Sequence, residues 1–283
     1  GLPLEIEGPI RPGGFVVDGS VSSQYVSGLL FALPTLPGPS TLRVTGQAVS
    51  APYILATEAV LKAHDVRFER QGRRWTFEGS QRFRGNRFDV PGDASSASYL
   101  WVAAALTGGD VRVVGIPPDW PQADRRILPI LRDAGATVRE SGDTVRVTGP
   151  VMNGFEVDLT ESPDLYPLVG VLAGAIPATS FLRGAPHLVF KESDRRAATV
   201  RLVRGMGAAV RNARGGLRID GTSNVRRLAL RGLDDHRVVM SAAVAALIGD
   251  RRSTIGRAHA VAKSFPTFWR VLRTLGAGVR TVR

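Results

Sequence analysis

The sequence predicts a mixed α/β (α+β) fold made of repeated βαβαββ units in two domains, the first of which is incomplete. Four stretches share one order of features: a small polar or acidic opening, an apolar run rich in small residues, a β-branched strand and a second helix. Their openings at residues 22, 95, 164 and 235 lie 73, 69 and 71 residues apart. A period near 70 is longer than the roughly 20 to 50 residues of common solenoid repeats, and it fits a βαβαββ unit.

The first stretch contains each of these features in order. A strand that ends in a turn (FVVDGS) precedes Ser22 and Ser23, which are typical N-cap residues for the apolar helix that follows. Prolines end that helix, TLRVTG predicts the next strand, and ILATEAVLKAHD predicts the second helix. This stretch is therefore predicted to form one α/β unit.

The other three stretches follow one another without a break. Their strands are predicted at DVRVVG, TSFLRG and STIGRA, and hairpins are predicted across residues 141–142 and 215–216. The last stretch has no room for a closing hairpin. A composition shift at residues 87–92 predicts a boundary between residues 1–90, the remaining unit of an N-terminal-side domain, and residues 91–283, a C-terminal-side domain of three units.

Composition and charge exclude several classes of protein. With 37 basic and 25 acidic residues the chain carries a formal charge of +12, which favours anionic partners. The basic residues are dispersed and are not interleaved with aromatic residues, so a nucleic acid is not the expected partner. The chain has no cysteine, and its four histidines lack the spacing of a zinc motif, so no metal site is expected. No apolar run is long enough for a membrane helix and no secretion signal is present, which predicts a cytoplasmic protein.

Polar residues near the helix starts are the candidates for chemistry, and each also has a plain structural interpretation. Hydroxyls at a helix N-terminus can bind a phosphate or simply cap the helix, and an Asp there can be a cap or a general base. Arginine suits the fork-shaped geometry of phosphates and carboxylates, whereas lysine supplies a point charge. The recurrence of such clusters at one structural position in each stretch favours a shared anion site. The candidates are Ser22, Ser23, Gln24, Ser50, Asp164, Lys191, Glu192, Arg195, His236, Arg237 and Lys263.

Five motifs in this order and spacing resemble those of the 5-enolpyruvylshikimate-3-phosphate synthase family: DGSVSSQ, PGDASSASY, KESDR, DHR and AKSFP. The resemblance covers residues 13–270. It implies two domains of the enolpyruvyl transferase type, each with three βαβαββ units. It also implies transfer of the enolpyruvyl group of phosphoenolpyruvate to the 5-hydroxyl of 3-phosphoshikimate, with release of phosphate and without a metal or organic cofactor.

The resemblance also implies roles for individual residues. Asp164 is expected to accept a proton and Glu192 to donate one. The residues expected to contact 3-phosphoshikimate are Ser22, Ser23, Gln24, Ser50, Asp164, His187 and Lys191. The residues expected to contact phosphoenolpyruvate are Gln24, Arg195, His236, Arg237 and Lys263. His187 stands where the family often has Asn, so its contact departs from the family pattern.

A larger departure is that two family segments have no counterpart in this chain. These are a Gly-Ser-Lys-Ser segment with a following Arg, and a Gly-Asn loop with a following Arg. The chain is therefore expected to lack an N-terminal segment of the enzyme, to need that segment as a partner and to be inactive alone. Two alternatives stay open: an enzyme like UDP-N-acetylglucosamine enolpyruvyl transferase, and a non-catalytic remnant of the fold that binds anions or nucleic acid.

Overall fold

The computed structural model describes residues 3–20, 22–46, 51–190, 192–231 and 234–282, except for the side chains of residues 187 and 190. The chain divides into two compact units, Gly1–Val90 and Pro91–Arg283, here called unit 1 and unit 2. No helix in the described part of the chain is both long enough and apolar enough to cross a membrane.

Unit 1 is a four-stranded sheet of order β1-β2-β4-β3 with two helices. The β1–β2 pair is parallel, and β2–β4 and β3–β4 are antiparallel. The parallel pair needs a crossover connection, and α1 supplies it. The second helix begins at Ala51, three residues before the predicted start. The elements are β1 (Gly14–Asp18), α1 (Ser23–Ala32), β2 (Ser40–Thr45), α2 (Ala51–Ala63), β3 (Glu69–Gln71) and β4 (Arg74–Phe77).

A small core holds unit 1 together. The inward residues of β2 alternate with outward ones, as expected for a sheet with one buried face, and Trp75 and Phe77 of β4 are buried beside them. The Trp75 indole donates a 2.8 Å hydrogen bond to Glu58 of α2, and Arg70 of β3 donates to the same carboxylate at 2.9 Å. Glu58 is therefore buried with its charge matched.

Unit 2 contains the other three sequence stretches. Only the middle one carries all six elements of a βαβαββ unit, since the described residues show no strand before α3 and no hairpin after α8. Its helices are α3 (Ala94–Thr107), α4 (Ile127–Asp133), α5 (Tyr166–Ala175), α6 (Arg195–Gly205), α7 (His236–Ala246) and α8 (Phe268–Thr274). Its strands are β5 (Asp110–Val113), β6 (Thr137–Ser141), β7 (Thr144–Thr148), β8 (Glu156–Asp158), β9 (Thr179–Arg183), β10 (Ala209–Ala213), β11 (Gly216–Asp220), β12 (Ala229–Leu230) and β13 (Thr254–Ile255).

The strands of unit 2 form three separate sheets, one for each stretch. Their orders are β5-β7-β6, β10-β11-β9-β8 and β12-β13. Both predicted hairpins are present, as the antiparallel pairs β6–β7 and β10–β11. In the second sheet β8 and β9 are parallel and are joined through α5.

The first helices of the three stretches, α3, α5 and α7, form the centre of unit 2. They contact one another, and almost every residue of each is buried, because their small-residue runs let helices approach closely from several sides. Gly170 of α5 shows how closely: a Cβ there would lie 2.4 Å from Cγ2 of Thr199 on α6. This arrangement brings the starts of several helices toward one place.

Candidate active site

One buried arginine is the centre of a charged cluster in unit 2. Arg195, the first residue of α6, has a side chain that is only 1% exposed. Its Nε donates to Asp235 Oδ2 at 2.7 Å, its Nη1 to Asp164 Oδ1 at 2.5 Å and its Nη2 to Glu192 Oε2 at 2.6 Å. Its guanidinium is therefore engaged by three carboxylates, which matches the need of a buried charge for close partners.

Two further cations complete the cluster. Arg237 Nη2 lies 2.7 Å from Asp164 Oδ2, and Lys263 Nζ lies 2.7 Å from Glu192 Oε1. Three cations and three carboxylates thus alternate, and their formal charges cancel. Exposure grows from the Arg195–Asp235 pair, where both side chains are 1% exposed, to Lys263, whose side chain is 60% exposed. The cluster has a buried base and a side open to solvent.

The starts of three helices place these side chains. Asp235 is the N-cap of α7: its Oδ1 accepts from the backbone N–H of Arg237 at 2.9 Å, while its Oδ2 accepts from Arg195 and, at 3.1 Å, from the Ser193 hydroxyl. Asp194 caps α6 in the same way through Ala197 N–H. Helix N-termini carry partial positive charge, so their convergence favours an anion.

Asp164 was open to interpretation as a cap or as a general base. It lies in the short 3₁₀ helix Pro163–Leu165 that runs into α5, and the N-cap of α5 is Leu165, which makes no side-chain cap. The Asp164 carboxylate instead bridges Arg195 and Arg237. Its carboxylate is held by these ion pairs, and Asp164 is the N-cap residue of neither the 3₁₀ helix nor α5.

The surroundings of Glu192 and Arg195 shift the pKa of each group in favour of its charged form. For Glu192, burial acts to raise the pKa, but the Lys263 hydrogen bond and the charges of Arg195 and Lys263 prevail and lower the pKa to about 2. For Arg195, burial acts to lower the pKa, but the carboxylates of Asp164 and Asp235 hold it above its ordinary value. Both groups are therefore charged at neutral pH.

His236 is the first residue of α7 and is buried beside the cluster. Burial and the charge of Arg237 lower its pKa below 6.5, so the imidazole is neutral at neutral pH. Its Nδ1 lies 3.9 Å from Asp235 Oδ1 and has no hydrogen-bond partner within the described chain. A neutral ring can donate one N–H to a ligand, but it adds no positive charge.

Sequence reasoning missed Asp235 of the cluster and two other buried groups of unit 2. Asp235 opens the last stretch, and an acidic residue directly before a His-Arg pair at a helix start is a signal that could have identified it. Tyr99 of α3 is buried near Arg237, and its burial raises the pKa of its hydroxyl. Asp124 is buried and accepts a hydrogen bond from Ser95 Oγ. The residues ADR at 123–125 match SDR at 193–195, 70 positions later, and this match could have pointed to Asp124.

The remaining candidates lie elsewhere or outside the described residues. In unit 1, Ser22 caps α1 by accepting from Gln24 N–H at 3.2 Å, Ser23 is buried and Gln24 is exposed. His187 belongs to the 3₁₀ helix Pro186–Phe190, but its side chain is outside the description. The two other predicted contacts with 3-phosphoshikimate, Ser50 and Lys191, also lie outside the described residues.

The cluster has the composition of a site that binds an anion and moves protons. A ligand with phosphate and carboxylate groups matches the guanidinium and ammonium donors, and the separate carboxylates of Asp164 and Glu192 can serve opposite proton transfers. Each of the three carboxylates already contacts a cation. Over residues 3–20, 22–46, 51–190, 192–231 and 234–282, no group of three or more His, Asp or Glu side chains is arranged to hold a metal ion.

Comparison with known proteins gives a consistent result. The family model described as EPSP synthase (3-phosphoshikimate 1-carboxyvinyltransferase) matches residues 1–272. Curated proteins named 3-phosphoshikimate 1-carboxyvinyltransferase from Methanocorpusculum labreanum and Thermococcus kodakarensis are 36% and 40% identical, over 98% and 97% of this chain. The matched region is 66% of the first relative's length and 67% of the second's, so the chain spans about two thirds of these relatives.

The fold is that of solved EPSP synthases. A structure from Acinetobacter baumannii superposes with a TM-score of 0.75 at 24% identity, covering 93% of this chain and 63% of that chain. A second structure from the same organism gives a TM-score of 0.76 at 22% identity. The mixed α/β fold class predicted from the repeat is confirmed. The motifs, the family model and the fold agree, and the chain belongs to the EPSP synthase family.

Proposed function

We propose that this chain takes part in transfer of the enolpyruvyl group of phosphoenolpyruvate to the 5-hydroxyl of 3-phosphoshikimate, with release of phosphate. The observation that carries the proposal is the alternating network of Arg195, Arg237 and Lys263 with Asp164 and Glu192. The family resemblance gives these five residues the roles of anion clamp, proton acceptor and proton donor. Because the chain spans about two thirds of its curated relatives, the activity is proposed for the protein of the relatives' length.

Phosphoenolpyruvate binds, in this proposal, by replacing carboxylates of the cluster. Lys263 is the most exposed cation, and a ligand anion reaches it first. Arg195 donates to three carboxylates, so it can contact a ligand only after Glu192 or Asp164 turns away. The buried Asp235 keeps its contact with Arg195 Nε and holds the guanidinium in place meanwhile. Binding is thus an exchange of internal for external anions.

This exchange explains how Glu192 can act as an acid. In the ligand-free protein its pKa is lowered to about 2, so it holds no proton at neutral pH. When a ligand takes Lys263 and Arg195, the groups that lower the pKa of Glu192 are neutralised, and burial raises it. Glu192 then takes up a proton and delivers it to the methylene carbon of the enolpyruvyl group. Asp164 accepts the proton of the attacking hydroxyl as its oxygen bonds to the carbon that carries the phosphate, which forms the tetrahedral intermediate. The new methyl group then returns a proton to Glu192 while the bond from carbon to the phosphate oxygen breaks, so the double bond re-forms and phosphate leaves.

The contacts to 3-phosphoshikimate are proposed from the family resemblance. Ser22, Ser23, Gln24 and Ser50 supply hydroxyl and amide groups suited to a phosphate and to ring hydroxyls. Lys191 supplies a cation, and His187 stands at the position where the family often has Asn.

A further partner is proposed for the exposed face of α1. Tyr25 and Phe31 of this helix are 57% and 40% exposed, whereas α3, α5 and α7 bury nearly every residue in the company of two sister helices. We propose that this face of α1 is covered by the part of the relatives that this chain does not match, in the way that α3, α5 and α7 cover one another in unit 2. We also propose that the protein acts in the cytoplasm.

Calorimetric titration and a phosphate-release assay test the function. The chain is titrated with phosphoenolpyruvate and with 3-phosphoshikimate, alone and joined to the unmatched portion of the Methanocorpusculum labreanum relative. We expect the joined protein to release phosphate only when both substrates are present, and the Glu192→Gln variant to release none. Folded protein that neither binds phosphoenolpyruvate nor releases phosphate would overturn the proposal.

The same assay separates the alternatives. Phosphate release with UDP-N-acetylglucosamine in place of 3-phosphoshikimate would identify the related transferase. Binding of random DNA with a steep salt dependence, without binding of either substrate, would indicate an anion-binding remnant.

A further inference from the structure

A groove separate from the charged cluster runs along one face of α6. Its walls are α6, the 3₁₀ helix Pro186–Phe190 and strand β10, and its volume is about 510 Å³. Ligand sites in proteins usually measure roughly 300–1,000 Å³, so the groove has room for a small molecule. The described residues that line it include none of the cluster's cations or carboxylates. The proposed mechanism therefore gives this groove no role.

Three arginines of α6 supply the charge of the groove. They are Arg196, Arg201 and Arg204, and none of them forms a salt bridge with another described residue. Asp194 is the one acidic residue in the described lining, and its Oδ1 already accepts from the backbone N–H of Ala197 at 2.9 Å. Three arginines and one aspartate leave the lining with a formal charge of +2. A surplus of positive charge in a concave surface favours an anionic ligand.

Hydrogen bonds to the β10–β11 hairpin hold two of these arginines in place. Arg196 Nη2 donates to Asn212 Oδ1 and to Gly216 O, both at 3.1 Å. Arg204 Nη2 donates to Val210 O at 3.0 Å. All three acceptors are neutral, so they orient the guanidinium groups without cancelling their charge. Each guanidinium has five N–H donors and therefore retains some for a ligand, and donors that are already held lose less entropy on binding.

One end of the groove suits a phosphate group. Arg201 and Arg204 are three residues apart in α6, so their side chains are neighbours on the helix surface. Arg201 is exposed and donates to no other residue in the described part of the chain. Like charges at this spacing repel each other. A phosphate that accepts hydrogen bonds from both guanidinium groups removes this repulsion.

The rest of the described lining suits an apolar group. It includes Val189 of the 3₁₀ helix, which is 47% exposed, and Ala197 and Val200 of α6. An inorganic ion would leave this surface in water, whereas an apolar ring would cover it. Arg196 lies eight residues before Arg204, about 12 Å along the helix, and a guanidinium can stack on a ring. A ligand that reaches from the phosphate end to Arg196 has about the length of a nucleotide.

We propose that this groove is a second ligand site, which binds an organic phosphate of nucleotide size. The phosphate contacts Arg201 and Arg204, and an apolar ring lies over Val200 against Arg196. The proposal does not depend on enolpyruvyl transfer, because none of these residues has a part in that reaction.

Calorimetric titration with ADP tests the proposal, at an ionic strength of about 0.15 M so that distant surface charges are screened. Adenosine, which lacks phosphate, and pyrophosphate, which lacks a ring, are titrated in parallel. We expect ADP to bind more tightly than either. The variant Arg201→Gln with Arg204→Gln should weaken ADP binding at least about tenfold, because it removes two charged donors. Its binding of phosphoenolpyruvate should equal that of wild type.

The matched control is Arg211→Gln with Arg214→Gln. These two arginines are exposed residues of the neighbouring hairpin segment and do not line the groove, so this variant loses the same charge and should bind ADP as wild type does. If the groove variant does not fold, Arg201→Glu replaces it, since Arg201 makes no hydrogen bond to the described residues, and it should also weaken ADP binding.

Three results would overturn the proposal. The first is equal loss of ADP binding in the groove variant and the control, or in neither, which would mean that the groove does not hold the ligand. The second is pyrophosphate or adenosine binding as tightly as ADP, which would contradict a ligand with both a phosphate and a ring. The third is ADP binding that persists in the groove variant but is lost in Lys263→Gln, which would place ADP at the charged cluster. Failure of phosphoenolpyruvate to bind wild type overturns only the proposed function.

Discussion

At the scale of single residues, Arg195 holds the largest set of interactions in the molecule's charged cluster. Its three carboxylate partners come from the ends of separate elements, and its own side chain and that of Asp235 are buried. A buried ion pair adds little net stability compared with apolar groups of the same volume, but loss of one partner leaves a buried charge without compensation. Replacing Arg195 should therefore lower the free energy of unfolding by much more than the whole cluster contributes to it.

We predict that Arg195→Met lowers the free energy of unfolding by about 3–5 kcal/mol, because Asp235 is left buried beside the remaining carboxylates. Chemical denaturation measures the change. Arg201→Met on the exposed face of the same helix is the control and should change stability by less than about 0.5 kcal/mol. A loss below about 1 kcal/mol for Arg195→Met would show that Asp235 is not held buried by this contact.

Asp124 gives a second prediction, for stability against pH. Burial raises the pKa of Asp124 to about 6, above the ordinary aspartate value of 3.8, so the folded state holds the proton more tightly. Ionised Asp124 therefore lowers the free energy of unfolding; this loss is absent at pH values below the pKa of the unfolded state and complete at pH values above the pKa of the folded state. Asp124→Asn should therefore gain stability relative to wild type as pH rises from about 4 to about 7, by roughly 3 kcal/mol at most.

Denaturation midpoints of wild type and Asp124→Asn at several pH values measure this difference. A difference that stays constant across this range would mean that Asp124 has an ordinary pKa in the folded protein.

At the scale of elements, the equivalent helices α1 and α5 provide a matched comparison. Gly28 of α1 is exposed and a Cβ there meets nothing within 4 Å, whereas a Cβ on Gly170 of α5 would lie 2.4 Å from Thr199 Cγ2. Gly28 therefore makes no packing contact in this chain. The second glycine is required for α5 and α6 to pack closely.

The same substitution should therefore have opposite effects in the two helices. We predict that Gly28→Ala stabilises the protein by about 0.5–1 kcal/mol, because alanine restricts the unfolded chain. Gly170→Ala should destabilise it by about 1–3 kcal/mol through overpacking against the buried Thr199. Thermal unfolding of both variants measures the two changes, and equal signs would contradict the close approach of α5 and α6.

The elements were largely predictable from the sequence because their signals are local. The N-cap Ser22, both hairpins and the strands of the repeat follow from residues within one turn or one strand, and most appear where predicted. Helix α3 is capped by Asp93, which accepts from Ser95 and Ser96 N–H, while the Ser95 hydroxyl turns inward to Asp124.

The pairings within the site were not predictable, because they join distant positions. Arg195 and Asp164 are 31 residues apart, and Lys263 and Glu192 are 71 apart. The residue patterns supplied these residues as candidates and the family resemblance gave them roles, but no spacing rule says which carboxylate meets which cation. Asp124 was missed for the same reason, as its contact to Ser95 spans 29 residues.

At the scale of the whole molecule, the two units differ greatly in the size of their cores. Among the described residues, the core of unit 1 comprises eleven buried apolar residues, Trp75 and Phe77 included, whereas unit 2 has one much larger cluster with members from Ala97 to Leu272. Each residue loses a similar amount of conformational entropy on folding, but unit 1 buries less apolar surface to compensate for that loss. Unit 1 should therefore be the less stable of the two units.

We predict that hydrogen exchange in rising denaturant opens residues 1–90 before residues 91–283, as two cooperative steps. Mass spectrometry of proteolytic fragments resolves the two ranges. A single step in which both ranges lose protection together would contradict the independent stability of the units.

The central claim is that a ligand anion displaces Glu192 from Lys263 and Arg195 and so lets it take up a proton. The most direct measurement is calorimetric titration with phosphoenolpyruvate near about pH 5, in buffers of different ionisation enthalpy, for wild type and Glu192→Gln. The heat difference between buffers gives the number of protons bound, and the difference between the two proteins isolates Glu192. Greater proton uptake by wild type is the predicted result. Equal proton uptake by two proteins that both bind the ligand would show that Glu192 stays ionised and would contradict the account.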